Sequence, residues 1–281
     1  MRLIIISFFT LVFVFMILGI ARFWGLGHHE RTFESHFWTA PTVNTELQGT
    51  GQPNTQVVRT PKELEIRTQK ELEIIVPWEQ SFFLEKRPRL ILWAKAYLNN
   101  KNTILVMPSV ETFAKVNREL EQTDARPALE DLLEKFPETR FLIEFNDNKN
   151  EVDQMLFKIV DNAKASERVI IQSNYNIILE STKKLLPLAL FGTGTADIMR
   201  MGVFESLFIL PSAPFKGDVF IFGLHKYRVS LGQLSESWIK EMQRRNKKVI
   251  VAVNGQDSDI QLAQSLGADG LILQKPELVI K

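Results

Sequence analysis

The stretch that decides the fold lies near the carboxyl end, where residues 247–279 read KKVIVAVNGQDSDIQLAQSLGADGLILQKPELV. An apolar run, VIVAV, is followed by an amphipathic segment that ends at Gly267, and then by a second apolar run, GLIL. Glycine is the residue most often found just past the end of a helix. Apolar strands that alternate with amphipathic helices are typical of a parallel sheet covered on both faces. The stretch therefore predicts one strand–helix–strand unit.

The same alternation extends upstream over most of the chain. Predicted strands are ELEI, ELEIIV, TILVM, RFLIEF, RVIIQS, LALFG, SLFIL and DVFIF. Predicted helices are FLEKRPRLILWAKAYLNN, SVETFAKVNRELEQ with Ser109 as its N-cap, PALEDLLEKF, EVDQMLFKIVDNA, NIILESTKKLL and LSESWIKEMQRRN. About eight such units fit between Glu63 and Lys281 if the first strand lies upstream, which favours a (β/α)8 barrel over an open sheet.

The amino terminus carries an apolar segment of a different kind. Residues 3–21 contain no charge, and about 19 such residues are long enough to cross a bilayer core as a helix. Arg2 and Arg22 flank the segment, and Trp24 follows where an interfacial aromatic residue is expected. A cleaved signal peptide is the alternative, but its apolar part is usually shorter. We therefore predict a single-pass transmembrane anchor over residues 1–24.

The orientation of this anchor is only weakly determined by charge. The amino terminus and Arg2 favour a cytoplasmic start and an exported barrel, whereas Arg22 and Arg31 favour the opposite orientation. Residues 25–281 form the predicted barrel domain. Its first part, residues 25–61, is polar and irregular, and it is either a stalk or the segment that contains the first strand.

Composition excludes several classes of function. The net charge of +1 gives no indication of nucleic-acid binding. The absence of cysteine excludes disulfides, thiolate metal sites and cysteine nucleophiles. No Gly-x-Gly-x-x-Gly motif or phosphate loop follows a predicted strand, which argues against a dinucleotide-binding or nucleotide-hydrolysing site.

Three blocks of the sequence resemble, in order, the glycerophosphodiester phosphodiesterase family. RPALEDLLEKFPETRFLIEFND is similar to the family's Pro-Thr-Leu-Glu-Glu helix and Ile-Glu-Ile-Lys strand, and ERVIIQSNYNIIL to its next strand and helix. The closing stretch, 247–279, is similar to its Trp-Thr-Val-Asn strand and its final Gly-Val-Asp-Gly-Ile-Ile-Thr-Asp-x-Pro. The resemblance implies a TIM-type barrel. It also implies metal-assisted hydrolysis of glycerophosphodiesters to glycerol 3-phosphate and an alcohol.

The resemblance implies a metal site as well. The family's Glu-Leu-Asp-Val strand and the turn after it match residues 63–66 and 69–72, and its Ile-Glu-Ile-Lys glutamate matches Glu144. Glu63, Glu65 and Glu144 are therefore the expected ligands of a divalent ion, Mg or Ca, if the site is intact. Without the resemblance, Glu63 and Glu65 are better explained as the solvated edge of a strand than as metal ligands.

The implied acid–base residues are only partly present. His36 matches the family's first histidine and is the expected catalytic residue, since histidine titrates near neutral pH. Trp78 occupies the position of the second histidine and cannot transfer a proton. Asn146 replaces the family's lysine, and with Asn254 and His225 it is expected to contact the substrate. His225, which follows a predicted strand, is also a candidate to replace the missing imidazole.

Three functional hypotheses remain open at this point. The first is a membrane-anchored phosphodiesterase that acts on glycerophosphodiesters or phospholipid head groups. The second is a catalytically inactive relative that serves as a binding or scaffold protein. The third is an unrelated barrel tethered to a membrane. The bilayer is a predicted partner in all three, through residues 3–21, and the replacement at Trp78 favours impaired or absent activity.

Overall fold

A computed structural model of the chain describes residues 2–27, 35–38, 72–85, 87, 89–109, 126–149, 151–224 and 236–274. Within these ranges, eight parallel strands form a nearly closed barrel with helices around it, as the sequence predicts. The parallel strands are β1 (Glu73–Pro77), β2 (Ile91–Leu98), β4 (Arg140–Phe145), β5 (Val169–Gln172), β6 (Leu190–Phe191), β7 (Val219–Gly223), β8 (Lys248–Val253) and β9 (Gly270–Leu273). A further strand, β3 (Ile104–Met107), pairs antiparallel with β2 and forms a hairpin.

Amphipathic helices cover the outside of the barrel. The described helices are α1 (Arg2–Gly27), α2 (Leu129–Lys135), α3 (Val152–Asn162), α4 (Asn176–Leu185), α5 (Thr195–Ser206), α6 (Glu236–Arg244) and α7 (Asp257–Ser265). Helix α3 illustrates the pattern, because Val152, Leu156 and Val160 recur every four residues and are all buried. The helices predicted from periodicity at α2, α3, α4, α6 and α7 are confirmed.

The inside of the barrel is a packed apolar core. Alternate residues of each strand point inwards, so that every parallel strand contributes to it. Its buried members on the strands are Ile75, Ile91, Trp93, Leu142, Ile170, Leu190, Val219, Ile221, Ile250 and Ile272. This core leaves room for a ligand only at the ends of the barrel.

A short segment, Ser35–Trp38, closes the amino-terminal end of the barrel. Phe37 joins the interior core and is 1% exposed. Its carbonyl accepts a hydrogen bond of 3.2 Å from Arg140, the first residue of β4, and the guanidinium lies 5.4 Å from the Phe37 ring centroid. Arg140 also binds the carboxylate of Glu73, the first residue of β1, at 2.8 and 3.2 Å. The open end of the barrel is therefore the carboxyl-terminal one.

A threonine side chain closes the barrel between β6 and β7. The Asp218 amide donates to the Phe191 carbonyl at 2.7 Å, which joins the ends of the two strands. Beyond that point, the Thr193 hydroxyl donates to the Val219 carbonyl at 3.1 Å and accepts from the Ile221 amide at 2.8 Å. The hydroxyl replaces the backbone ladder that the other strand pairs have.

Two predictions about individual elements are corrected. FLEKRPRLILWAKAYLNN is not a helix, because ILWAKAYL forms β2, which is buried on almost all of its length. SLFIL is not a strand but the end of α5 and the turn that follows. Within the described residues the first barrel strand is β1, whereas the strand predicted at 63–66 and most of residues 25–61 lie outside the described part of the chain. Residues 39–71 and 110–125 lie outside the described part of the chain.

Helix α1 has the properties of a membrane-spanning helix. In the described part of the chain, its segment Ile6–Leu26 is the one helix long and apolar enough to cross a bilayer, with 21 residues and a mean hydropathy of 2.3. A signal sequence shares these properties. The last turns of α1 contact the barrel: the Ser212 hydroxyl donates to the Ala21 carbonyl, and Arg22 donates to the Phe208 carbonyl at 2.6 Å.

A carboxylate in α6 organises the joint between α1 and the barrel. Glu241 binds Arg244 and Arg245, each at 2.7 Å. Arg244 in turn donates to the carbonyls of Gly25 and Leu26, at 3.1 and 3.2 Å. Burial by itself would raise the pKa of Glu241, but the hydrogen bonds from the two arginines outweigh burial and hold this pKa below its ordinary value.

We expect Thr193→Val to weaken the barrel where β6 meets β7. Valine keeps the shape but leaves the Ile221 amide and the Val219 carbonyl without their partner, which costs about 1–3 kcal/mol of unfolding free energy. Thermal unfolding and amide hydrogen exchange at Ile221 measure the effect. The control is Thr195→Val, which changes an exposed threonine two residues away. Equal effects of the two substitutions would contradict this account of the closure.

We expect Glu241→Gln to destabilise the protein at pH 7 by about 1–3 kcal/mol, because it removes charge-assisted hydrogen bonds. A carboxylate with a lowered pKa stabilises the fold above its unfolded pKa of about 4.3 and loses this contribution as the pH falls through the folded value. The difference between wild type and variant should therefore shrink below about pH 4.

The matched control for this prediction is Glu236→Gln in the same helix, since Glu236 forms an exposed ion pair with Lys240. Thermal midpoints in detergent at pH 7 and at low pH provide the comparison. A loss of stability in Glu241→Gln that is the same at both pH values would show that its charge is not what matters.

Candidate functional site

A cavity opens at the carboxyl-terminal ends of the barrel strands. It has a volume of about 390 Å³. Its lining combines apolar strand residues with a polar rim that contains Lys95, Glu144, Gln172, Asn174, Thr193, Thr195, Asn254 and Gln274. TIM barrels bind their ligands at this end, because the loops that follow the strands converge here. This cavity is therefore the candidate site.

Glu144 stands on the wall of the cavity and is oriented by two donors. It is half-buried near the end of β4. Its Oε2 accepts a hydrogen bond of 3.1 Å from the Trp93 indole, and its Oε1 accepts one of 3.1 Å from the Asn146 amide group. The Asn146 oxygen accepts from the Asn174 amide at 2.7 Å. The Glu144 carboxylate is thus oriented by Trp93 and Asn146, and Asn146 is itself oriented by the Asn174 amide.

Lys95 places a positive charge next to this carboxylate. It lies on β2 directly opposite Glu144 in the register of the two strands. Its ammonium donates to the Ser109 carbonyl at 2.6 Å and lies 4.6 Å from the centroid of the Trp93 ring. Contact with an aromatic face favours a cation. The cavity wall therefore carries one carboxylate and one ammonium on neighbouring strands.

The loop after β6 forms a second, rigid wall. Gln172 clamps the backbone of Thr193 on both sides, because its Oε1 accepts from the Thr193 amide and its Nε2 donates to the Thr193 carbonyl, each at 2.8 Å. A Cβ at Gly192 would lie 1.8 Å from this Oε1. Residue 192 must therefore be glycine for the Gln172 side chain to reach the backbone of Thr193.

The indole N–H of Trp78 is engaged in a hydrogen bond within the protein. The residue is half-buried at the end of β1, and its indole donates to the Met107 carbonyl of β3 at 3.2 Å. The next residue, Glu79, accepts a hydrogen bond of 2.5 Å from the Ser109 amide. Both residues thus support the β2–β3 hairpin and the segment after it, to which Lys95 also binds.

The structure brings some of the predicted site residues together. Glu144 and Asn254 both line the cavity, and Asn146 holds Glu144 in place. Glu63, Glu65 and His225 lie outside the described residues, so their predicted roles stay predictions.

His36 is located elsewhere. It belongs to the turn whose next residues contact the amino-terminal end of the barrel: Phe37 contacts Arg140, and the Trp38 ring lies 5.9 Å from the ammonium of Lys248, the first residue of β8. Glu144 lies four positions after Arg140 along β4, a distance of about 13 Å. The structure therefore places the turn at the opposite end of the barrel from Glu144.

The described residues do not fit a divalent metal ion. Within the described ranges there is no group of three or more histidine, aspartate or glutamate side chains that could hold one. Magnesium and calcium require about six or more oxygen ligands, with carboxylates supplying the charge. Glu144 offers one carboxylate, and an ammonium group stands on the strand beside it.

Sequence reasoning missed Lys95 and Trp93 because it assigned their segment to a helix. The signal that identifies them is the polar NNKN between the apolar runs ILWAKAYL and TILVM. Two apolar runs joined by a short asparagine-rich turn are typical of a β-hairpin. In a strand, residues 93 and 95 lie on the same face, which the structure turns towards the cavity.

Comparison with known proteins gives a likeness of structure only. No protein-family model and no curated protein sequence matches the chain. Among solved structures, a glycerophosphodiester phosphodiesterase from Parabacteroides distasonis is similar with a TM-score of 0.54 and 13% identity, over 74% of this chain and 95% of that one. One from Agrobacterium tumefaciens gives 0.52 and 10%, over 75% and 99%.

A third similar structure is that of a phosphodiesterase from Oleispira antarctica in complex with the product sn-glycerol-3-phosphate. It has a TM-score of 0.50 and 12% identity, over 73% of this chain and 94% of that one. At such identities the likeness establishes the fold and not the chemistry. The chain folds as a barrel of the kind found in glycerophosphodiester phosphodiesterases.

Proposed function

We propose that the chain is a membrane-anchored barrel that binds a glycerophosphodiester or a related phosphate-bearing head group at its mouth without hydrolysing it. The observation that carries this proposal is the pair Trp93 and Lys95 on β2, beside Glu144. The anchor is α1, whose apolar segment is long enough to cross a bilayer.

The resemblance to the phosphodiesterase family gives β2 its significance. The family's pair of metal-binding carboxylates stands on a strand that leads through a tight turn into a second strand. Here the strand with this connection is β2, which leads through residues 99–103 into β3. At spacing i, i+2 on its cavity face it carries Trp93 and Lys95 rather than two carboxylates.

A lysine at this position can do part of what a metal ion does. A divalent ion neutralises the phosphodiester and polarises it towards attack. The Lys95 ammonium supplies a single positive charge and hydrogen-bond donors, which suffices to attract an anionic phosphate. It does not generate a nucleophile. Asn254 and Gln274, which follow β8 and β9 and also line the cavity, offer further hydrogen bonds to the polar groups of a head group.

The proton transfers of hydrolysis also lack support from the described residues. No histidine is among the described residues that line the cavity. With β2 as the carboxylate strand, the family's order of motifs puts the second histidine at the end of β3, where Met107 accepts a hydrogen bond from the Trp78 indole. A metal-assisted hydrolase, in which Glu63, Glu65 and His225 join Glu144, is the competing hypothesis.

We expect the full-length protein in detergent to bind sn-glycerol 3-phosphate and to release none from glycerophosphocholine with Mg²⁺, Ca²⁺ or Mn²⁺. Lys95→Met keeps the length of the side chain but removes its charge, and should weaken binding about tenfold or more, because charged hydrogen bonds contribute about 1.5–3 kcal/mol. Titration calorimetry measures the affinity. Lys101→Met, in the exposed turn of the hairpin, is the control and should bind like wild type.

Metal-dependent release of glycerol phosphate that is abolished by Glu144→Ala would establish the hydrolase instead. Unchanged affinity in Lys95→Met would remove the assigned role of the ammonium.

We further expect the double variant Trp93→Glu/Lys95→Asp to gain a metal site. It places two carboxylates on β2 beside Glu144 on β4, which is the arrangement that hard divalent cations prefer. Calorimetry with Ca²⁺ and the shift of the thermal midpoint on adding Ca²⁺ provide the measurements, and the parent protein should show neither response.

The control for this gain is Gln154→Glu/Lys158→Asp, which makes the same change of net charge on the exposed face of α3. It should not bind Ca²⁺. Tight binding of Ca²⁺ by the parent protein, or none by a folded double variant, would contradict the view that β2 has lost the metal ligands.

A further inference from the structure

The turn after α5 is tied to the end of the proposed membrane anchor. Arg22 donates to the carbonyl of Phe208, and Ser212 donates to the carbonyl of Ala21. A Cβ at Gly25 would lie 2.3 Å from the carbonyl carbon of Pro211, so the two backbones are in direct contact. These contacts join α1 and residues 208–212 along the last turns of α1.

The contacts place this turn at the level of the membrane surface if α1 spans the bilayer. The apolar segment Ile6–Leu26 has 21 residues. At about 1.5 Å per residue it is about 32 Å long, close to the thickness of about 30 Å of a bilayer core. Ala21 and Gly25 lie within its last six residues. The barrel residues that contact them are therefore at the boundary between hydrocarbon and head groups.

Large apolar side chains are exposed at this place. Val203, Leu207 and Phe208 are 56%, 44% and 78% exposed, and we call them the α5 patch. Val203 and Leu207 are four residues apart and so share one face at the end of the helix. Phe23 and Trp24 of α1 are exposed as well. Contiguous exposed apolar surface of this kind marks an interaction site rather than ordinary surface.

The backbone of Phe208 is a second, independent observation. Its φ is +60°, a conformation that favours glycine at the end of a helix. The helix end is well formed, since the Phe208 amide donates to Glu205 and the Ile209 amide to Phe204, at 2.8 and 2.9 Å. In water a phenylalanine at this position has two costs: a strained backbone and an exposed apolar ring. Burial of the ring in an apolar environment would remove the second cost.

We propose that the α5 patch enters the interfacial layer of the same bilayer that α1 spans. This inference rests on the proposed anchoring of α1. The bilayer is the occupant because the patch continues the apolar surface of α1 at interfacial depth, and because the Arg22 guanidinium at its edge, bound to the Phe208 carbonyl, supplies the cation that suits an anionic head-group layer. The amino-terminal end of the barrel then faces the membrane, since α5 runs from the mouth back to that end.

Site-directed spin labelling in lipid nanodiscs tests this proposal, and the absence of native cysteine makes each label unique. Labels are introduced by Phe208→Cys and by Val203→Cys. The aqueous control is Ile177→Cys, at an exposed residue where α4 begins near the mouth, and the bilayer control is Phe13→Cys in α1. The measured quantity is the accessibility of each label to oxygen relative to a water-soluble nickel chelate.

We expect the labels at 208 and 203 to favour oxygen as the label at 13 does, and the label at 177 to favour nickel. Nickel accessibility at 208 and 203 equal to that at 177, with the label at 13 still in lipid, overturns the α5 patch but not the anchor. Nickel accessibility at 13 overturns both. Labels at 208 that are shielded from both reagents and broadened by spin–spin contact indicate a second copy of the chain, which also overturns the proposal.

Discussion

At the amino-terminal end of the barrel, the guanidinium of Arg140 is almost completely buried, and the rest of the fold is arranged around it. It binds the carboxylate of Glu73, the carbonyl of Arg89 at 2.6 Å and the carbonyl of Phe37. A buried cation that loses its partners costs several kcal/mol. Because the partners come from β1, from the residue two positions before β2 and from the segment near the amino terminus, this one charge aligns the starts of three neighbouring strands.

Much of the barrel could be predicted from the sequence. From Arg126 onwards, the apolar runs are short strands between amphipathic helices, with the exception of SLFIL at the end of α5, and periodicity identifies most of them. Earlier in the chain the same reasoning failed at β2. Its eight residues include Lys95, and the charged FLEKRPR lies just before it, so that the polar pattern suggested a helix. Pairing with β1, β4 and β3 decides the conformation there, and pairing between distant segments cannot be read from local periodicity.

Only part of the candidate site could be predicted from the sequence. Glu144 could be identified because a carboxylate in an apolar strand requires a special environment, and the structure gives it two donors at the cavity. The position of His36 could not, because the family pattern specifies an order of motifs and not the end of the barrel at which a divergent segment packs. Lys95 was hidden by the wrong assignment of β2. The charge that a phosphate ligand would meet was therefore beyond the reach of motif matching alone.

Phe37 has a practical consequence for the boundaries of the protein. The segment between the apolar helix and the first strand carries a residue that belongs to the interior core, so the apolar helix and the barrel are not separable at an arbitrary point between them. A soluble form that starts after Trp38 would leave the amino-terminal end of the barrel open and Arg140 without one of its partners. One that starts between Gly27 and Ser35 would keep Phe37 in the core but would lose the contacts of α1 with Phe208 and Arg244.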